Sequence, residues 1–422
     1  MFRKIELKSD FTRHVLTLMT GTTVAQAIPI AISPVLTRIY TPKDFGIFAI
    51  FFALTTVFGS LANARYELAI MLPKDDEDAI NIAALGILIA LALAIVLLVI
   101  VSVFNEQIAR ILGNEDISHW LYFVPLSVFF VGLFNVLTYF NSRTKQYADI
   151  RNATILKSII LSIVQIVVGI LRPGVSGLVL GEFFSRIFAN NRLAKNIIKD
   201  RHLISSISLI NIKKMAIKYR DFPKFSLWAI LFNNLSYKSI DLSISSIYSV
   251  ATLGFYALTD KVLGAPIALI GKSIGQVYFQ QASNEYNLTG SVKNSFISTV
   301  KKTTILSSLF FGTLFFVIEY IFIFAFGEAW RQAGLLAKYM MFLYFCRFIT
   351  VPLLSTPIIV NKVKVDLVFQ FLILVIVFSL MGINFVFKFE IFHFLIILSI
   401  ILGLYYLFYA FYIYFKVVKK LV

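Results

Sequence analysis

The chain alternates between long apolar runs and short polar segments. The clearest run extends from Leu85 to Val103 and is interrupted only by Gly86 and Ser102. About 20 consecutive apolar residues are enough for a helix to cross a bilayer. The same pattern along the rest of the chain predicts about twelve membrane helices. The predicted ranges are 14–37, 45–71, 79–104, 120–140, 153–171, 173–190, 222–250, 252–281, 303–326, 334–360, 363–387 and 391–415.

The two halves of the chain share a repeated segment. Residues 39–49 (IYTPKDFGIFA) reappear as residues 247–257 (IYSVATLGFYA), 208 positions later. Residues 10–13 (DFTR) also resemble residues 221–224 (DFPK), at the slightly different offset of 211 positions. An internal repeat in an apolar chain is typical of transporters built from two pseudo-symmetric bundles. The sequence therefore predicts an all-α polytopic membrane protein. We expect a six-helix lobe over 1–195, a basic linker over 196–221 and a second six-helix lobe over 222–422, around a central cavity.

The composition narrows the class of protein and of site. Hydrophobic residues make up 59% of the chain and charged residues 14%, which excludes an ordinary soluble domain. One cysteine, Cys346, and four scattered histidines predict no disulfide framework and no metal site. The string Gly271-Lys272-Ser273 resembles the end of a phosphate-binding loop, but Pro266 stands where that motif needs glycine. We expect no cofactor.

Basic residues are distributed unequally between the predicted loops. If the N-terminus is cytoplasmic, that side holds 25 Lys and Arg, the opposite side holds 6, and 8 lie within spans. The positive-inside rule then predicts a multi-pass protein of the cell inner membrane with both termini cytoplasmic. The net charge of +17 reflects this topology and predicts no nucleic-acid partner. The basic linker is expected to lie on the anionic inner leaflet.

Thirteen Lys, Arg, Asp and Glu residues lie beyond the first turn of the predicted spans, where each costs about 2.5–3.5 kcal/mol unless it has a partner or a water-filled cavity. Glu182 and Arg186 are four residues apart and are expected to neutralise each other. Lys157 and Lys338 are expected to snorkel from helix ends. The thirteen are Arg65, Lys157, Arg186, Lys238, Lys261, Lys272, Lys338, Arg347, Glu67, Glu182, Asp241, Asp260 and Glu319.

Two repeat-related helices carry matching polar stripes. Asn234, Lys238, Asp241 and Ser245 recur at helical spacing, and Gln26 occupies the position equivalent to Asn234. These stripes are either helix–helix contacts or the wall of a water-filled cavity. Lys261 and Lys272 are predicted to share a face with small residues between them. We predict a cation-lined cavity that binds an anionic substrate, with Asp241 and Asp260 serving in ion coupling or as counter-charges. The predicted substrate-binding residues are Arg65, Lys238, Lys261, Lys272, Gln26 and Asn234.

Two segments near the second helix carry a family resemblance. Residues 36–46 (LTRIYTPKDFG) and 65–74 (RYELAIMLPK) resemble bacterial oligosaccharide flippases. These are O-antigen-type polysaccharide transporters of the multidrug/oligosaccharidyl-lipid/polysaccharide exporter (MOP) superfamily. The similarity is specific over 30–85 and architectural elsewhere. It implies two lobes around a V-shaped cavity. It also implies that the protein moves undecaprenyl-pyrophosphate-linked oligosaccharide from the inner to the outer leaflet, and that the protein is a transporter and not an enzyme. A polysaccharide polymerase and a chain-length regulator are the implied protein partners, beside the lipid-linked substrate and membrane lipid.

Two alternatives remain. A cation-coupled multidrug antiporter of the same superfamily would need an anionic cavity, whereas the predicted spans carry eight cations and five acids. A membrane polysaccharide polymerase would need a large external loop with catalytic residues, and the predicted external loops are short. The charge balance therefore argues against the antiporter, and together with the family resemblance it favours a lipid-linked oligosaccharide flippase that works by alternating access.

Overall fold

The computed structural model describes residues 10–360 and 362–418, with side chains from residue 20 onward except at 225, 272, 363, 364 and 417. Both predicted cytoplasmic termini lie outside these residues. All regular structure in the described part is helical. This agrees with the long apolar runs, because a helix satisfies every backbone polar group internally when no water is present.

The first half of the chain contains the membrane helices of the predicted first lobe and two short linker helices. These elements are α1 (Asp10–Ala31), α2 (Ser33–Ile39), α3 (Pro42–Leu61), α4 (Asp76–Ile111), α5 (Ser118–Leu121), α6 (Phe123–Arg143), α7 (Tyr147–Leu171), α8 (Ser176–Ile198), α9 (Arg201–Ser205) and α10 (Leu209–Lys218).

The second half repeats this arrangement with more interruptions. Its elements are α11 (Leu227–Ile247), α12 (Val250–Pro266), α13 (Lys272–Thr289), α14 (Lys293–Phe326), α15 (Arg331–Thr350), α16 (Thr356–Ile359), α17 (Val363–Phe387) and α18 (Ile391–Tyr412).

The predicted fold class is confirmed. Within the described residues, nine helices are long and apolar enough to cross a membrane, and helical segments overlap all twelve predicted ranges. Nine of the predicted ranges fall on these nine helices. The other three ranges fall on α1, α8 and α11, which contain more polar residues. The chain is an all-α multi-pass membrane protein.

Two predicted helices differ from the structure for identifiable reasons. The predicted helix 45–71 ends at Leu61, because Ala64 and Arg65 adopt left-handed backbone angles with φ of 46° and 67°. A short 3₁₀ segment, Tyr66–Met71, follows this break. The predicted helix 252–281 contains a π-helical turn, Ile267–Gly271, directly after Pro266. The linker is partly helical, because Ser208 caps α10 by accepting a hydrogen bond from the Asn211 amide.

Close contacts group the described residues into two compact units. Unit 1 comprises the described residues up to Ile32 and Phe51–Asn234, and unit 2 comprises Ser33–Ile50 and the described residues from Leu235 onward. The division into lobes at 195 and 222 stays a prediction. Unit 1 has a core cluster in which the 3₁₀ segment, α4, α6 and α10 meet. Its most buried members include Ile70, Ile82, Val136, Phe140 and Met215.

Unit 2 contains a reciprocal contact between the two copies of the repeated segment. A Cβ atom at Gly46 would lie 1.8 Å from the carbonyl oxygen of Val250. A Cβ atom at Gly254 would lie 1.8 Å from the carbonyl oxygen of Pro42. Gly46 and Gly254 are equivalent positions of the repeat, as are Pro42 and Val250. The first turns of α3 and α12 therefore pack backbone against backbone, which only glycine permits at these two positions.

Candidate functional site

Lys238 and Asp241 form the ion pair that their spacing on α11 predicts. The Lys238 Nζ donates a hydrogen bond to the Asp241 Oδ2 over 2.8 Å. Asp241 is buried, with 8% of the residue exposed. A buried pair of opposite charges with a direct hydrogen bond lowers the cost of placing either ion in an apolar span.

Asp260 lies in the same unit on α12 and receives a hydrogen bond from the Tyr344 hydroxyl of α15. It also interacts electrostatically with Lys238 and with Arg347. The structure thus brings together Lys238, Asp241 and Asp260 from the predicted set. Both carboxylates are already matched by protein cations.

Arg347 also belongs to this cluster, although the sequence analysis counted it only among the intramembrane cations and not among the substrate-binding residues. Its guanidinium lies 5.3 Å from the ring centroid of Tyr344, 5.5 Å from that of Tyr237 and 5.9 Å from that of Tyr406. The hydroxyls of Tyr237 and Tyr406 are hydrogen-bonded to each other. The Arg347 Nε is buried and has no hydrogen-bond partner in the described part of the chain. Tyrosine faces stabilise a cation that has been removed from water.

The signal for this cluster was only partly present in the sequence. Tyr344 and Arg347 are three residues apart on α15, so their contact is visible as helical spacing. Tyr237 and Tyr406 come from α11 and α18, and no local pattern connects those helices. Aromatic residues are also so frequent in this chain that a tyrosine at a helical spacing carries little information.

Lys261 differs from Lys238 and Arg347, which have partners in unit 2. It is half-buried on α12. Within the described residues it has no hydrogen bond, ion pair or ring contact. Lys272 begins α13, and its side chain lies outside the described residues. The predicted shared face of Lys261 and Lys272 assumed an unbroken α-helix, and the π-helical turn between them changes that register.

The predicted cation of unit 1, Arg65, sits at the break after α3. Its Nη1 lies 3.1 Å from the Glu67 Oε1, and its Nε donates to the Ser226 Oγ over 3.3 Å. Glu67 is only 4% exposed, and its Oε2 has no hydrogen-bond partner in the described part of the chain. Left-handed angles at Arg65 cost of order 1–3 kcal/mol for a residue with a side chain. Backbone strain beside a buried ion pair is typical of functional sites.

The remaining predicted residues belong to the polar stripes. Gln26 is half-buried on α1, and Asn234 is half-buried on α11. Both are grouped with unit 1, as is Arg65. Lys238, Lys261 and the two aspartates belong to unit 2, and so does the backbone of Lys272. The role of all eight residues in substrate binding or coupling stays a prediction.

Unit 1 holds a second group of intramembrane charges. Glu182 and Arg186 are hydrogen-bonded on α8, as predicted. Lys157 was predicted to snorkel from a helix end, and this was wrong. It lies in the interior of α7, with its Nζ 4.0 Å from the Glu182 Oε1 and over the Phe134 ring. The neighbouring carboxylate satisfies Lys157 without any need to reach the membrane surface. The group carries two cations and one acid.

Comparison with known proteins places these features in a family. The family model described as "Polysaccharide biosynthesis protein" matches residues 35–335. No curated protein matches the sequence.

Solved structures are similar in fold at low sequence identity. The lipid II flippase MurJ, in an inward closed conformation, matches with a TM-score of 0.72 and 14% identity, over 95% of this chain and 87% of that chain. An inward-facing multidrug resistance MATE family transporter matches with a TM-score of 0.59 and 12% identity, over 97% and 95%. A MOP superfamily transporter from Pyrococcus furiosus matches with a TM-score of 0.54 and 11% identity, over 98% of this chain and 97% of that chain. These matches confirm the resemblance to flippases of that superfamily. Because the family model covers most of its length, the chain belongs to the polysaccharide biosynthesis protein family, and its fold is that of MOP-superfamily transporters.

Proposed function

We propose that this protein is a flippase for undecaprenyl-pyrophosphate-linked oligosaccharide repeat units. It moves them from the inner to the outer leaflet of the bacterial inner membrane by alternating access, for the assembly of O-antigen or another surface polysaccharide. The observation that carries the proposal is Lys261, a half-buried ammonium that no described residue neutralises.

An unpaired ammonium in a membrane span costs about 2.5–3.5 kcal/mol on insertion scales. That cost is offset when the group faces water or an anionic ligand. A pyrophosphate supplies several strong acceptor oxygens and negative charge, so it suits a lysine better than a neutral or cationic ligand does. The oligosaccharide headgroup would follow the pyrophosphate, while the polyprenyl chain stays in the lipid.

The two carboxylates beside Lys238, Asp241 and Asp260, argue against the antiporter alternative. An organic cation would need an available acidic group, but Asp241 is paired with Lys238, and Asp260 is engaged by Tyr344 and Arg347. The lipid II flippase MurJ, similar in fold, is by its name a transporter of a lipid-linked substrate, which also supports the proposal.

The orientation belongs to the same proposal. Both termini are placed in the cytoplasm. With this placement 25 Lys and Arg lie on the cytoplasmic side and 6 on the other, which satisfies the positive-inside rule. Substrate then enters from the side on which nucleotide-sugar enzymes assemble it. A polysaccharide polymerase and a chain-length regulator would act on the product at the opposite surface.

The test compares three lysine variants in cells that lack the native gene. Lys261→Met removes the charge and keeps much of the side-chain volume, and Lys261→Arg keeps the charge. A hydrogen bond to a charged group contributes about 1.5–3 kcal/mol, so the Met variant should lower export roughly ten- to hundred-fold. Lys338→Met is the matched control, because Lys338 is exposed and lies over the Phe315 ring.

Three quantities are measured for each variant: surface polysaccharide, membrane protein level, and lipid-linked intermediate that remains on the inner leaflet. We expect the Lys261→Met protein to be abundant and to accumulate the intermediate, while the Arg and Lys338→Met variants export it. Normal export by Lys261→Met would refute the proposal. Normal export combined with altered drug susceptibility would favour the antiporter.

A further inference from the structure

The linker helix α10 exposes an unusual set of side chains. Its inner face is filled by Ile212 and Met215, which are 8% and 0% exposed. Its other faces carry Leu209, Ile210 and Ile217, which are 79%, 82% and 59% exposed. Three large aliphatic side chains in a ten-residue helix are therefore mostly exposed, although the helix is already docked.

Contacts near both of its ends dock α10 against the start of α4. At the start of α10, the Ser208 amide donates to the Asn81 Oδ1 over 3.0 Å. At its end, the Lys218 Nζ lies 4.0 Å from the Asp78 Oδ2. Ten helical residues rise about 15 Å, whereas Asp78 and Asn81 are separated by about 4.5 Å along α4. Both ends of α10 contact residues within a single turn of α4, so α10 lies beside the first two turns of this membrane helix.

The depth of α10 follows from the exposure of α4. The contacted residues, Asp78 and Asn81, belong to the first two turns of α4, which begins at Asp76. The large apolar residues of α4 become exposed from Leu88 and Leu91 onward. Asn81 and Leu88 are about 10 Å apart along the helix axis. That distance places α10 at the level of the lipid headgroups, just outside the hydrocarbon core.

Charge completes the description of this surface. Lys213 and Lys214 are exposed. On the face opposite the docked side of α10, they flank Ile210 and Ile217. A short helix with exposed aliphatic and lysine side chains on its free face is suited to the boundary between headgroups and acyl chains of an anionic membrane. We propose that α10 is an in-plane interfacial helix. Lys213 and Lys214 bind acidic phospholipid headgroups, and Ile210 and Ile217 enter the acyl boundary.

The choice of partner rests on this combination. Water alone would leave three aliphatic side chains exposed, and a neutral lipid surface would give the two lysines no counter-charge. An acidic phospholipid satisfies both groups at the depth that the contacts with α4 define. The proposal is independent of the transported substrate, since none of these residues belongs to the candidate site.

A single labelled position tests the proposal in the full-length protein. Cys346, the one native cysteine, is buried, so a cysteine introduced by Ile210→Cys is the accessible thiol. The purified variant is labelled with a polarity-sensitive fluorophore in neutral detergent. It is then titrated with phosphatidylglycerol or with phosphatidylcholine. We expect a blue shift with phosphatidylglycerol that added salt reverses, and little shift with phosphatidylcholine, because salt screens exposed charges.

The lysines are tested by a charge-matched pair of variants in the labelled background. One lysine near an anionic surface contributes about five-fold to binding, so Lys213→Gln with Lys214→Gln should raise the apparent Kd for phosphatidylglycerol about thirty-fold. The control is Lys301→Gln with Lys302→Gln, an exposed adjacent pair on α14, which should leave the Kd unchanged. Thermal unfolding confirms that each variant is folded.

Three results would overturn the proposal. Equal shifts with both lipids would show apolar partitioning without headgroup recognition. An unchanged Kd after the Lys213 and Lys214 substitutions would show that these lysines do not bind the headgroup. No fluorescence shift with either lipid would show that the free face of α10 contacts water or a protein partner and not lipid.

Discussion

The reciprocal glycine contact in unit 2 gives a sharp prediction about stability. Gly46→Ala adds a Cβ atom 1.8 Å from the Val250 carbonyl oxygen, and Gly254→Ala adds one 1.8 Å from the Pro42 carbonyl oxygen. An ordinary carbon–oxygen contact is about 3.3–3.6 Å. Either alanine therefore requires α3 and α12 to separate by roughly 1.5 Å, since the obstructing atoms belong to the backbone and cannot rotate away.

The magnitude follows from this forced movement. Inserting one extra methyl group into a closely packed contact costs about 1–3 kcal/mol. We expect each single alanine variant to lose that much free energy of unfolding. Once one alanine has moved the helices apart, the second meets less resistance. The double variant should therefore lose less than the sum of the two single losses, a coupling typical of neighbouring sites.

The assay is denaturant or thermal unfolding of the purified protein in detergent, with Gly312→Ala as the control. Gly312 also lies within a long helix, α14, but a Cβ there meets no atom within 4 Å. Alanine is favoured over glycine inside a helix by about 0.5–1 kcal/mol, so the control should be slightly stabilised. Equal or higher stability of Gly46→Ala relative to Gly312→Ala would refute the close approach, and so would strict additivity in the double variant.

Three further predictions concern the charged cluster and the topology. Lys238→Ala or Asp241→Ala alone should lower the amount of folded protein, because an unpaired buried charge costs about 3–5 kcal/mol, and the double variant should recover it. Immunoblots with export assays check this, and an abundant, export-competent double variant would show that the pair only neutralises itself. Tyr344→Phe should cost about 1–3 kcal/mol by removing the donor to Asp260, and an unchanged unfolding curve would contradict that bond. A phosphatase reporter should be active near Asn114 and inactive at the C-terminus, and the reverse pattern would overturn the orientation.

Much of the fold was predictable because membranes impose simple constraints. A span needs about 20 apolar residues, so the alternation of apolar and polar segments placed helical structure in all twelve ranges. The ion pair Lys238–Asp241 was predictable for a related reason, since residues three apart on a helix share a face. The repeat also pointed to Gly46 and Gly254 as equivalent positions, although their mutual contact depends on how α3 and α12 cross.

The interruptions of the helices were not predictable from local signals. The break at Ala64 and Arg65 contains neither glycine nor proline, the residues that ordinarily mark such a turn. It is stabilised by distant partners, such as the bond between Arg65 and Ser226. Pro266 did indicate a disturbance in the predicted eighth helix, because proline removes a backbone donor. It did not indicate that the following turn would be π-helical.

The tyrosine cluster around Arg347 was hidden for a different reason. Its members come from α11, α15 and α18, and helix spacing reports only neighbours on a single helix. Lys157 illustrates the same limit, since its partner Glu182 lies on α8. Pairings between helices depend on tertiary packing, so a sequence-based list of intramembrane charges identifies the participants without their partners.

These pairings decide which sign of charge remains available for a ligand. Glu67 is paired with Arg65, and Asp241 with Lys238, so neither contributes free charge. Glu182 faces two cations, which leaves one positive charge in excess in unit 1. Lys261 has no partner among the described residues and leaves another in unit 2. A positive surplus in both units favours an anionic substrate over an organic cation, because a ligand of opposite sign offsets the cost of keeping these cations in the membrane.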